Sequence, residues 1–135
     1  MQILLKCLRI SAAIQMVIFL ANFYLPFKLQ YGKNISPLNP FFRQIFVTHA
    51  FYIASVVLSF SIITFIFAAD LASGHGLGRF LASALGIFWL CRIPIQLFYF
   101  DKDVRRAHRA GDIAMTLAVT FLAATYCAAA TIALW

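Results

Sequence analysis

Four long stretches with almost no charge set the limits on what this chain can become: residues 10–27, 44–69, 80–100 (interrupted by Arg92 alone) and 113–135. Each is 18 residues or longer, close to the roughly 20 that an α-helix rising about 1.5 Å per residue needs to cross a hydrocarbon core of about 30 Å. At that depth every backbone N–H and C=O has to be satisfied inside the helix itself. The expected fold is therefore an all-α membrane protein, an antiparallel four-helix transmembrane bundle. It forms a single domain over 1–135, with spans at about 4–25, 41–69, 77–100 and 111–134 and no separate soluble unit.

Composition agrees with lipid as the solvent: 64% of the 135 residues are hydrophobic, 16% are aromatic and the mean hydropathy is +0.91, far from a soluble average. Lys6 and Arg9 precede the first apolar run as they would in a secretory leader. That run ends Leu20-Ala-Asn-Phe-Tyr-Leu-Pro26, without a small-residue cleavage pattern, so a retained first span is expected. Cys7, Cys91 and Cys127 make no CxxC and read as small packing residues rather than a disulfide or redox pair. The net charge of +7 gathers at span ends, which points to the lipid bilayer and anionic lipid headgroups as partners and not to nucleic acid.

The charge distribution also predicts an orientation. The N-terminus and the loop after span 2 hold Lys6, Arg9 and Arg79; the loops after spans 1 and 3 hold Lys28, Lys33, Arg43, Lys102, Arg105, Arg106 and Arg109. Seven cations against three place the second group in the cytoplasm and both termini outside.

Between the spans, loop one (26–40) carries Pro26, Gly32, Pro37 and Pro40 and is expected to be irregular, with Asn39-Pro40 as an N-cap followed by proline at the first helical position. Aromatic residues flank it as an interfacial belt would. Loop two (70–78) reads Ser73-Gly-His-Gly-Leu-Gly78, a tight turn; it has neither the preceding strand nor the Lys-Ser/Thr of a phosphate loop. Loop three (101–112) sets three aspartates against four cations, with Asp101–Arg105, Asp103–Arg106 and Arg109–Asp112 spaced to pair if the segment is helical.

Two features inside the spans carry meaning. Gly78, Ala82 and Gly86 recur at i, i+4 and i+8 and form a small-residue face, the expected helix-packing seam; Thr116, Thr120, Ala124 and Cys127 make a comparable face in span 4. Arg92 is the one charge well inside a span, about eight residues or roughly 12 Å from its end. Such a charge costs about 2.5 kcal/mol or more and calls for a partner, a cavity or a route to the interface. Pro94, two residues on, bends the helix and frees the Leu90 carbonyl. Asn22, His49, Tyr52, Gln96, Tyr99 and Asp112 lie in the same leaflet, so a polar pocket of these residues around Arg92 is a candidate anion site. The competing expectation is an Arg92 bond to Asp112 or Asp101 that joins spans 3 and 4.

Catalysis finds little support. The chain contains no glutamate, and Asp70, Asp101, Asp103 and Asp112 sit at span ends, which leaves no mid-span carboxylate for acid–base work or proton coupling. Ser55, Ser59 and Ser61 stand in no nucleophile motif. His49 lacks a second membrane histidine for haem or metal, because His75 and His108 fall in loops on opposite sides. No cofactor or metal is expected.

The stretch Arg43-Gln-Ile-Phe46 with His49 and Tyr52, and Arg92-x-x-x-Gln96-Leu-Phe-Tyr-Phe-Asp101 with Arg105-Arg106, resembles an uncharacterised family of small four-span bacterial integral membrane proteins. The likeness covers spans 2 and 3 and loop three. It implies a bacterial inner-membrane location and carries no activity. The leading expectation is a non-enzymatic accessory or structural subunit, or a homo-oligomer, that works through a membrane-protein partner or self-association. The alternative is a small transporter or anionic-lipid-binding protein that uses the Arg92 pocket.

Overall fold

The computed structural model describes residues 1–28, 30–99 and 102–132, and among them all regular structure is helical. Helix α1 runs Gln2–Lys28, α2 Tyr31–Ile35, α3 Pro40–Ile66, α4 Ala68–Ser73, α5 Gly76–Pro94, followed without a break by a π-helical turn Ile95–Tyr99; α6 covers Lys102–Ala107 and α7 Arg109–Thr131. Four of these, Gln2–Lys28, Pro40–Ile66, Gly76–Tyr99 and Arg109–Thr131, are long and apolar enough to cross a membrane.

The connections are more helical than composition suggested. Pro26 does not end α1, because it sits in the last turn, where its missing N–H costs a single bond to the carbonyl four residues back. Gln30 takes a left-handed conformation, φ 48°, and the short α2 follows, so loop one is only partly irregular. At the start of α3 the Asn39 side-chain oxygen accepts the Phe41 N–H at 3.0 Å, and Pro40 occupies the first turn, where no N–H is needed. The second apolar stretch divides at Phe67, which leaves α3 and opens α4. Gly74, at φ 68°, ends α4 in the left-handed region that glycine adopts without Cβ strain.

Helix α1 packs on α3 and α5 on α7; α1 also meets α7, and α4 bridges toward α5 and α1. One buried cluster joins them, from Leu8 of α1 and Val57 of α3 through Leu71, Ala82, Leu85 and Trp89 to Leu122 and Tyr126 of α7. Edge-to-face stacking of Phe60 on Phe88, 4.9 Å between centroids, ties α3 to α5. In α1 the buried residues fall in the first half, in α3 in the second half and in α7 from Val119 onward. The core therefore lies toward the α4 end. At the opposite end, every residue of α3 from Pro40 to Ile53 is exposed.

For helices that leave lipid rather than water, apolar burial alone gives little driving force, and close packing of small residues and interhelical hydrogen bonds hold them together. The small-residue face of α5 has that character, although its three members meet different neighbours. A Cβ on Gly78 would overlap the Asp70 carbonyl of α4. Ala82 is fully buried, and a Cβ on Gly86 would lie 3.4 Å from Cys127 Sγ and 3.5 Å from Tyr126 Cβ of α7.

Candidate functional site

The polar residues expected to surround Arg92 are not gathered into one pocket. His49 is exposed on α3 and its Nδ1 donates to the Ile45 carbonyl of its own helix at 2.9 Å. Tyr52 and Tyr99 are 65% and 83% exposed, and the Asn22 amide donates to Ile18 O of α1 at 2.8 Å. The reason is the position of the core: the buried residues of α3 begin at Ala54, so His49 and Tyr52 fall outside it. Arg92 is partly buried on α5, and Asp112, the partner expected of it, is engaged elsewhere. Asp101, the other expected partner, lies outside the described residues.

What does assemble is a cluster around Asp112. Arg105 of α6 grips its carboxylate with two nitrogens, Nε to Oδ1 at 3.0 Å and Nη2 to Oδ2 at 2.8 Å, while Gln96 Nε2 donates to Oδ1 at 2.9 Å. Arg105 Nη1 donates in addition to the Leu97 carbonyl at 2.9 Å. The chain before this point explains the arrangement. Pro94 has no N–H for the Leu90 carbonyl, and the helix continues as the wider π turn Ile95–Tyr99. That turn carries Gln96 into the protein, 6% exposed, and leaves the Leu97 carbonyl for a side-chain donor, as the last carbonyls of a helix require. The hydrogen bond that Arg105 donates to Asp112 holds the guanidinium above its ordinary pKa, against a smaller opposing effect of burial. Arg105 thus stays cationic and pins α6 both to the π turn that extends α5 and to α7.

Around this anchor, Lys102, Arg105, Arg106, Arg109 and Asp112 line an open cleft of about 460 Å³. Of the pairings expected in loop three, Asp103–Arg106 occurs as a long contact of 3.9 Å with both side chains exposed. Arg109 does not pair with Asp112, whose two oxygens are already taken by the bidentate Arg105 fork. Asp101–Arg105 again lies outside the described residues.

A second polar group sits in the middle of the core. Tyr126 of α7 is fully buried. Its hydroxyl meets Thr64 Oγ1 of α3 at 2.6 Å and accepts from Gln15 Nε2 of α1. The Thr64 hydroxyl donates to Phe60 O at 2.7 Å, so Tyr126 is the donor toward Thr64. Ser61 adds a bond to the Ala12 carbonyl at 2.8 Å. Neither Tyr126 nor Thr64 stands out in the sequence; the one available signal is that both are polar residues at the inward positions of strongly apolar helices.

No protein-family profile, curated protein or solved structure matches the chain.

Proposed function

We propose that this protein is a non-enzymatic, multi-pass membrane protein, an antiparallel four-helix bundle in a bacterial inner membrane, that works by packing against a second copy of itself through α3. Its loops after spans 1 and 3 face the cytoplasm and its termini lie outside, as the cation count favours.

The observation that carries this reading is the outer face of α3. Gln44, Thr48, Tyr52, Ser55 and Ser59 recur at i, i+4, i+8, i+11 and i+15, which places them on one side of the helix. Ala54, Val57, Ser61 and Thr64, the buried residues, occupy the opposite side. A polar stripe of about 15 residues, or roughly 22 Å, is costly against lipid and rewarding against another helix, where hydroxyl and amide groups bond across the interface. Gln44, Thr48 and Tyr52 carry both donors and acceptors, and Ser55 and Ser59, whose hydroxyls donate to the Phe51 and Ser55 carbonyls, still offer acceptor oxygens, so the stripe can pair with its own counterpart across a twofold axis. A self-complementary face of this kind favours a second copy over an unrelated partner.

Disulfide trapping in native membranes tests it, with Cys7, Cys91 and Cys127 replaced by alanine. Ser55→Cys should give a cross-linked homodimer on oxidation, and Phe80→Cys, exposed on α5, should not. A cross-link to a protein of different mass would make this chain an accessory subunit of that protein. Absence of any cross-link at Thr48→Cys and Ser55→Cys would mean that α3 faces lipid, and the proposal would fall.

A further inference from the structure

We infer that the cleft between α6 and the start of α7 binds the phosphate headgroup of an anionic phospholipid. Its lining contains four cations, Lys102, Arg105, Arg106 and Arg109, and one carboxylate, Asp112. That carboxylate is already neutralised by the two-nitrogen grip of Arg105 and capped by Gln96, so the field in the cleft comes from the remaining three cations. Arg106 is tied to Asp103 only by a 3.9 Å contact between side chains that are 81% and 91% exposed, too loose and too wet to hold its charge. Lys102 and Arg109 take part in neither of the ion pairs among the described residues. The cleft therefore presents a point charge and two planar forks, the donor set that recognises phosphate oxygens. Arg105 is the positioning residue: its bonds to Leu97 O and Asp112 hold α6 in place.

Two observations favour a lipid over a soluble phosphate. The cleft lies where the candidate spans Gly76–Tyr99 and Arg109–Thr131 meet their connection, the level of the headgroups in an inserted protein. An apolar groove of about 440 Å³ also opens between α1 and α7, lined by Ile14, Ile18, Gly111, Ala114 and Ala118 among others. It starts at Gly111, next to Asp112 of the cleft, and follows α7 for about 10 Å. The small side chains leave room for an acyl chain at the same end of α7 as the headgroup site. The site does not involve α3, so it stands or falls independently of self-association.

The test is native mass spectrometry of the full chain released from liposomes of mixed phosphatidylglycerol and phosphatidylcholine. Wild type should retain phosphatidylglycerol selectively. Each cation near an anionic headgroup is worth about fivefold, so K102Q/R109Q should weaken retention by about 25-fold. K6Q/R9Q, exposed at the far end of α1, should leave it unchanged. Both pairs are exposed, and Arg105 is untouched, so the fold is preserved. Equal retention by K102Q/R109Q, or equal retention of phosphatidylcholine, would overturn the inference. So would displacement of the lipid by millimolar inorganic phosphate, which would mark a soluble-anion site.

Discussion

Removal of a single oxygen, in Tyr126→Phe, asks whether polar bonding or shape alone holds the core together. The Tyr126 ring is fully buried, so the variant keeps the packing and loses only the hydroxyl that joins Gln15 of α1 and Thr64 of α3 to α7. Interhelical hydrogen bonds in membrane proteins average about 0.6 kcal/mol and reach about 1.7, so two of them amount to about 1–3 kcal/mol. The lower part of that range applies. Gln15 retains its bond to Ser11 O at 3.2 Å and Thr64 its bond to Phe60 O at 2.7 Å, so neither is stripped of all partners. The expected loss is about 1–2 kcal/mol, a factor of about 5–30 in the ratio of folded to unfolded protein. The assay is reversible unfolding in lipid–detergent micelles by sodium dodecyl sulfate, followed by circular dichroism for wild type, Tyr126→Phe, Gln15→Leu and the double variant. Residues that share a bond are non-additive by about 0.5 kcal/mol or more. A Tyr126→Phe midpoint within about 0.3 kcal/mol of wild type, or strict additivity in the cycle, would refute the reasoning.

The glycines of α5 are graded by what they touch. Gly78→Ala forces its Cβ into the Asp70 backbone carbonyl and should cost about 1–3 kcal/mol in the same assay, whereas Gly86→Ala makes only ordinary contact with Cys127 and Tyr126 and should stay within about 0.5 kcal/mol. Gly86→Leu overfills that contact and should cost about 1–3 kcal/mol; an unchanged midpoint would remove Gly86 from the α5–α7 seam. A reporter active only in the cytoplasm, fused after Trp135, should be silent in cells, and activity there would invert the orientation drawn from seven cations against three.

The four long helices were legible because their causes are local. Run length and the absence of charge define four apolar segments, Asn39-Pro40 marks the start of α3, and Ser73-Gly-His-Gly marks the turn between α4 and α5; each signal lies within a few residues of the element it controls. The cluster at Asp112 was half legible. Gln96 and Asp112 stand out as polar residues near span ends, and Pro94 foretells a disturbed helix. The choice of Arg105 over Arg92 as the partner of Asp112 does not follow from spacing. It depends on how far the π turn Ile95–Tyr99 displaces the chain and where α6 returns, and a register change of one residue turns a side chain by about 100° on a helix of 3.6 residues per turn.

By itself, then, the sequence determined the helical character of this protein, the four apolar segments long enough to span a bilayer and the excess of cations at one set of connections, because hydropathy and charge act residue by residue along the chain. Only the tertiary structure decided which polar groups meet: Gln15 with Tyr126 across 111 residues, Thr64 with the same hydroxyl, and Arg105 with Asp112. Helical periodicity tells which residues share a face. Which faces come together is set by the packing of whole helices, where one close approach at Gly78 or Gly86 excludes the alternatives.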